Sequence, residues 1–285
     1  METIEQVTRM QIRAEELRMA GKIIALVPTM GFFHEGHLEL MRVGKKHGDV
    51  VIFSIFVNPL QFGPSEDYAS YPRDPEGDLA KAEKAGADIA FLPSGREMYP
   101  EGFQTKINVK NVTQPLCGLA RPGHFDGVTT VVAKLFNITK PHLAIFGQKD
   151  YQQLTVLSRM VKDLNMDIQI VGVPTVREAD GLAMSSRNSY LNAEERRSAL
   201  CLKKALDLAE EWVQSGEKEA GKVRAGMVSL IEHTAHTKID YINICNPITL
   251  EDKESLEGEI LIALAVKVGK TRLIDNRLIN KRKRN

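Results

Sequence analysis

Cysteine is scarce in this chain: Cys117, Cys201 and Cys245 are the only three in 285 residues, far apart and with no CxxC pair. That spacing excludes a disulfide framework and a zinc ribbon. Neither sign of charge is in excess. Lysine and arginine number 38 against 37 aspartates and glutamates, a formal net charge of +1, so no global field argues for nucleic acid or an acidic partner. The one local excess is the tail Lys281-Arg282-Lys283-Arg284. It reads as a solvated terminus, with a nucleic-acid or membrane contact as the other reading. No apolar run approaches the roughly 18 residues of a membrane span. The opening METIEQVTRMQIRAEEL is charged and lacks the apolar centre of a secretory signal. No internal repeat or low-complexity segment stands out. The expectation is a reduced, soluble, cytoplasmic protein with neither membrane nor nucleic acid as partner.

What is present is ordinary globular composition, 43% hydrophobic and 26% charged, on a chain long enough for one large or two medium domains. Residues 3–20 have helix-forming composition and stop at Gly21. Short apolar runs rich in β-branched residues then alternate with helical patterns. The runs fall at 23–27, 49–57, 87–92, 142–146 and 168–173, and the helical stretches at 36–47, 75–86, 125–139 and 151–164. Pro28 ends the first run. This alternation predicts βαβ units and a mostly parallel, Rossmann-like sheet. Ligand loops then belong at the carboxyl ends of the strands, after Val27, Val57 and Phe146. The pattern changes near Pro174. Helices at 192–214 and 219–238 precede strands at 239–244, 259–268 and 271–276. The expected fold class is α/β, with an N-terminal Rossmann-like domain over 1–174 and a smaller α+β domain over 175–285.

Three familiar site signatures are missing. A zinc protease needs HExxH, but His34-Glu35-Gly36-His37 places its histidines at i and i+3 with a glycine between them. Walker A and GxGxxG are also missing. What remains is a helix N-terminus after the first strand, with free N–H groups, a partial positive charge and two imidazoles, an arrangement suited to a polyphosphate. The competing reading keeps His34 and His37 as hydrogen-bonded structural residues. The long loop 56–78 carries Asn58 and Gln61, neutral amides able to hold hydroxyls and a carboxylate without a tight ion pair. Asn58-Pro59 as a plain turn is the alternative. FGQKDYQQL (146–154) supplies Gly147 for close approach, Lys149 as a point charge, Asp150 as a helix N-cap, and Gln152 and Gln153. Ser185-Ser186-Arg187 offers two hydroxyls and a guanidinium for phosphates, or else belongs to a polar linker that Asn192 and Glu195 follow with a capping pattern. Arg121 and His124 lie on a glycine-rich loop.

Taken together these segments resemble a known family. HEGH after a first strand and MSSR near the domain boundary resemble the HIGH and KMSKS signatures of the nucleotidyltransferase superfamily. More specifically, PTMGFFHEGHLELM, FVNPLQF with EDYASYPRD, CGLARPGHFDGVTTVVAKLFNI, GQKDYQQ and DGLAMSSRNSYL are similar, in order, to motifs of the pantothenate synthetase (pantoate–β-alanine ligase) family. The resemblance covers essentially the whole chain and is most specific over 23–191. It implies adenylation of (R)-pantoate by ATP, then attack by β-alanine to give pantothenate and AMP. It implies His37 as the catalytic histidine, with His34, Lys149 and Arg187 beside Ser185 and Ser186 on the phosphates. Nucleotide contacts would come from Met30, Gly31, Phe32, Phe33, His34, Glu35, Gly36, His37, Gly147, Gln148, Lys149, Asp150, Val176, Met184, Ser185, Ser186 and Arg187. Gln61 and Gln153, with Asn58, would bind the other substrates. Mg²⁺ would arrive with ATP, its direct ligands unassigned, and the chain would form a homodimer. Gln148 departs from the glutamate common in the family, and Phe32-Phe33 replaces a smaller pair. Two alternatives stand beside this reading: a nucleotidyltransferase that stops after one step, and a nucleotide- or RNA-binding module using the basic tail.

Overall fold

The computed structural model describes residues 1–64 and 66–280, so the basic tail lies outside the described residues. Its first unit is a six-stranded, wholly parallel sheet. In chain order it comprises β1 (Glu2–Ile4), α1 (Val7–Met19), β2 (Ile24–Thr29), α2 (Glu35–His47), β3 (Val50–Ile55), α3 (Pro75–Lys84), β4 (Ile89–Phe91), the short α4 (Gly95–Met98) and α5 (Cys117–Ala120), α6 (His124–Thr139), β5 (Leu143–Gly147), α7 (Tyr151–Asp163) and β6 (Gln169–Val173). The spatial order is β1-β4-β3-β2-β5-β6. From β2 the chain winds outward through β3 and β4, then returns to place β5 on the other side of β2. Such a reversal opens a crevice at the carboxyl ends of the two strands. Here it lies between Thr29 and Gly147.

The second unit packs three helices on a three-stranded antiparallel sheet, β7-β8-β9. Its elements are α8 (Ala193–Ala199), α9 (Cys201–Gln214), α10 (Ala220–Glu232), β7 (Thr237–Cys245), β8 (Glu259–Val268) and β9 (Thr271–Asn280). β8 is buried on both faces, and its alternation sorts them. Ile260, Ile262, Leu264 and Val266 face the core under α9 and α10. Leu261 and Ala263 join the core of the first unit. No helix among the described residues is long and apolar enough to cross a membrane.

Several boundaries differ from expectation for local reasons. Residues 2–4 form an added edge strand, not the start of a helix. Ile4 is fully buried, and the segment pairs in register with 89–91. α1 then starts at Val7, whose N–H is taken by the Glu97 carboxylate at 2.7 Å. Pro28 does not end β2; it pairs with Ser54. β2 is paired with β5 only at Ala25 and Leu26, so the missing proline N–H falls where the two strands have parted. The expected 192–214 helix is two, α8 and α9, meeting at Leu200. The expected 219–238 helix stops at Glu232, and the last strand runs on to Asn280.

Candidate functional site

The loop after β2 is held by one carboxylate. Asp78 of α3 is 1% exposed and accepts the backbone N–H groups of Phe32 and Phe33 at 2.7 and 2.6 Å. Lys81 donates to the Phe33 carbonyl at 3.2 Å. To reach this clamp the chain passes through left-handed conformations at Gly31 (φ 87°) and Phe32 (φ 55°). A Cβ at Gly31 would stand 3.0 Å from both Asp78 Oδ2 and the Ile55 side chain, which fixes glycine there. Phe33 turns into the core, edge-on to Phe53 at 5.6 Å.

α2 starts with a cap made from two imidazoles. His34 Nδ1 accepts the N–H of Gly36 at 3.1 Å, and His37 Nδ1 accepts that of His34 at 3.4 Å. Both Nδ1 atoms are therefore acceptors, and each neutral ring carries its proton on Nε2. The rings stack with centroids 4.1 Å apart. Burial first, and the Lys149 charge second, pull the His34 pKa down to about 4. Burial, His34 and Lys149 hold that of His37 well below the ordinary histidine value. The pair thus presents neutral N–H donors at neutral pH. A Cβ at Gly36 would fall 2.9 Å from the His34 ring, so the glycine leaves room for that imidazole.

β5 delivers the opposite wall. After Gly147 a 3₁₀ turn, Gln148–Asp150, carries Lys149, whose pKa is lowered, chiefly by burial. Asp150 occupies the N-cap position of α7 but accepts no capping hydrogen bond. Its carboxylate stays on the cavity side, without a hydrogen bond or ion pair among the described residues. Gln152 turns away and braces the 112–117 loop through the Val112 and Pro115 carbonyls and the Cys117 N–H.

The 58–73 loop closes the side. The Asn58 amide donates to Gln61 Oε1 at 3.0 Å and to the Gly127 carbonyl at 3.1 Å, while its oxygen accepts from Leu60 and Tyr99. Asn58 is 1% exposed and all its polar capacity is used inside the protein, so it aims Gln61. It does not line the cavity as a substrate contact would. His124 Nδ1–H and Arg121 both donate to the Gln61 carbonyl, at 2.8 and 3.2 Å, and burial, then Arg121, lowers the His124 pKa to about 4. Adjacent carboxylates on the same loop each hold an arginine. Glu66 pairs with Arg121 at 2.5 and 2.7 Å. Asp67 grips Arg187 in a two-pronged bond at 2.9 and 2.7 Å, and the guanidinium lies 5.7 Å from the Tyr71 ring centre. Burial alone would raise the Glu66 pKa; the Arg121 bond and the Gly63 N–H overcome it and hold it at about 2. The 174–187 segment covers the top, with the Ser186 hydroxyl donating to the Phe32 carbonyl at 3.2 Å.

These walls enclose a cavity of about 250 Å³. Met30, His34, Gly36, His37, Gln61, Gly147, Lys149, Asp150, Gln153, Val176, Met184, Ser185, Ser186 and Arg187 line it. Gly31, Phe32, Phe33, Glu35 and Gln148 do not. Glu35 pairs outward with Arg42, Gln148 lies against Gly172 of β6, and residues 31–33 work through the Asp78 clamp. Reading the sequence missed the apolar wall from α6, Val128, Val131, Val132 and Leu135, and the carboxylates Glu66, Asp67 and Asp78. The near-continuous burial of α6 was readable in VTTVVAKLF; the carboxylate pairings were not, since partners 45 to 120 positions apart leave no local pattern. Among the described residues no group of three or more His, Cys, Asp or Glu is placed to hold a metal ion.

The parallel sheet thus gathers two imidazoles, a lysine and an arginine at its switch point, the form of an α/β ligand site. A family model described as pantoate-beta-alanine ligase matches residues 2–278, and the chain belongs to that family. Among relatives, a pantothenate synthetase of Syntrophus aciditrophicus is 56% identical over 97% of this chain and 96% of its own. One of Caldicellulosiruptor bescii is 55% identical over 97% and 98%. The crystal structure of pantothenate synthetase from Thermus thermophilus superposes with a TM-score of 0.92 at 42% identity, covering 97% of this chain and 99% of that one. A pantoate-beta-alanine ligase from Francisella tularensis, complexed with beta-gamma ATP and beta-alanine, gives 0.80 at 34% identity over 98% and 97%.

Proposed function

We propose that this cavity joins pantoate to β-alanine at the expense of ATP, forming pantothenate, AMP and pyrophosphate in two steps. The observation that carries the reading is the meeting of two neutral imidazole donors, Lys149 and the Ser185-Ser186-Arg187 turn on a cavity whose other wall is the valine face of α6. In the first step a carboxylate oxygen of pantoate attacks the α-phosphorus of ATP. The bond from that phosphorus to the bridging oxygen breaks, and pyrophosphate leaves with the electron pair. In the second, the β-alanine amine attacks the acyl carbon of pantoyl adenylate, the acyl C–O bond breaks, AMP leaves and the nitrogen gives up a proton.

The nucleophile of the first step is already an anion, so charge at the phosphates is the main obstacle. His37 and His34 meet it as Nε2–H donors fixed by their Nδ1 bonds, an arrangement that needs no reorganisation as charge develops. Lys149 and Arg187 supply the permanent charge. A triphosphate beside buried Lys149 favours its charged form, and Arg187 exchanges the Asp67 carboxylate for a phosphate of like bidentate geometry. Gly147, Val176 and Met184 hold the nucleotide. Gln61, aimed by Asn58, and Gln153 hold the hydroxyls and carboxylate of pantoate, with its methyl groups on Val128 and Val132. Mg²⁺ would enter with ATP on phosphate oxygens and water, with Asp150 the free carboxylate placed to reach its shell. When bound it would offset negative charge on the leaving pyrophosphate.

The same proposal treats residues 1–174 and 175–285 as two domains, the second closing over the first. It includes a homodimer in the cytoplasm with small-molecule substrates and no nucleic-acid or membrane partner. The balanced charge supports a reading without nucleic acid, and the three free thiols support a reducing compartment. The test is exchange of labelled pyrophosphate into ATP. Exchange that requires pantoate, without β-alanine, is expected. Exchange driven by an amino acid alone would overturn the assignment.

A further inference from the structure

β9 carries two adjacent residues that bond beyond their own sheet. Asp275 is buried and grips Arg177 in a two-pronged bond at 2.7 and 3.0 Å. The same carboxylate accepts the backbone N–H of Asn276 at 2.8 Å. The Asn276 side-chain amide then donates to two consecutive carbonyls, those of Gln148 at 2.9 Å and Lys149 at 2.7 Å. Those carbonyls belong to the 3₁₀ turn at the end of β5. A turn of three residues has few bonds of its own to hold its shape, and this one is held from outside.

Lys149 needs that support. The residue lines the cavity, and its ammonium makes no hydrogen bond or ion pair among the described residues. Four side-chain torsions separate it from the backbone, so the turn is what sets where its charge can reach. Arg177 lies next to Val176 and seven positions before Met184, on the segment that roofs the cavity. Arg177, Asp275 and Asn276 therefore refer the roof and the Lys149 turn to one point on β9.

We infer that Asn276 is a positioning residue for Lys149, and that through it the second unit sets the charge presented to phosphate. The inference rests on the reading of Lys149 as a phosphate-binding group. A double-mutant cycle on the full chain separates the two, using Asn276→Ala, Lys149→Ala and the double variant. The readout is kcat/KM for ATP in pantoate-dependent pyrophosphate exchange, with the KM for pantoate and the thermal midpoint measured alongside. Asn276→Ala should lower kcat/KM by about ten-fold or more, since small misplacements of a site group carry large losses. The KM for pantoate should stay near that of the parent. In the Lys149→Ala background the same change should cost less than about three-fold, because residues acting as one unit are not additive. Equal losses in both backgrounds would mean a general structural role and overturn the inference, as would parent-like kinetics for Asn276→Ala alone. Parent-like exchange in Lys149→Ala would instead remove the underlying reading of Lys149. If Asn276→Ala does not fold, Asn276→Ser, which keeps one donor, takes its place under the same criteria.

Discussion

Replacing Asp78 asks whether the loop that carries both histidines is held by a carboxylate or merely packed. Its two oxygens take the N–H groups of Phe32 and Phe33 at 2.7 and 2.6 Å in a nearly dry setting. Alanine deletes both acceptors and leaves two N–H groups without partners, at about 1–3 kcal/mol each. Asparagine keeps one carbonyl oxygen and turns an NH₂ group toward the other N–H, so it loses one charge-assisted bond. Burial pushes the Asp78 pKa up despite those bonds, so asparagine also recovers part of the cost of a buried charge. We therefore expect a loss of about 4 kcal/mol for Asp78→Ala and about half that for Asp78→Asn. At roughly 2–4 °C per kcal/mol for a chain of this size, the midpoints should fall by about 10 and 5 °C. Thermal unfolding by circular dichroism reads the stability. The KM for ATP should rise in the same order, because Gly31 to His37 move as the clamp loosens. Equal midpoints for the two variants, or an asparagine variant more stable than the parent, would show that the loop is packed and not held by the carboxylate.

Removing either His37 or Lys149 by alanine should lower turnover by more than about 10²-fold, as loss of other transition-state donors does; parent-like turnover in both would sink their assignment. Arg187→Ala should slow adenylation and spare the second step, which single-turnover measurement of each half-reaction distinguishes. Asp67→Asn should tighten ATP binding by calorimetry, since phosphate no longer competes with a carboxylate for Arg187; weaker binding would assign Asp67 to holding the arginine in place. Stability should also depend on pH below neutrality. His34 and His124 have folded pKa values of about 4 against 6.5 for the ordinary group. The unfolded chain takes up their protons first as pH falls, so stability is full above about 6.5, declines toward 4 and levels off below. Each contributes up to about 3 kcal/mol. Urea midpoints at pH 7 and 4.5 should differ, and His124→Gln should flatten the slope.

Much of the site was legible because the chemistry-bearing residues follow strand ends directly. His34, His37, Gly147 and Lys149 sit within ten positions of β2 or β5, and a parallel sheet places such residues together whatever the rest of the chain does. The strand β1 was not legible, since three residues between a start and a helix carry no period. Its place is decided by Ile4 fitting the core beside β4. Pro28 misled for a similar reason: a missing N–H matters only where a neighbouring strand wants it, and β5 has already parted from β2 there. Asn58 looked like a ligand group by type and position, but whether an amide faces substrate or protein depends on Gly127 and Tyr99, far along the chain. Asn276 carried no signal at all, because its role is defined by two carbonyls on another element.

In the proposed reaction the pantoate carboxylate attacks the α-phosphorus, and AMP is the leaving group of the second step. Pantoate labelled with ¹⁸O in its carboxylate tests this directly. Turnover with ATP and β-alanine should place one ¹⁸O atom in the phosphate of AMP and none in pyrophosphate, read by mass spectrometry. Label appearing in inorganic phosphate alongside ADP, or AMP free of ¹⁸O, would contradict it.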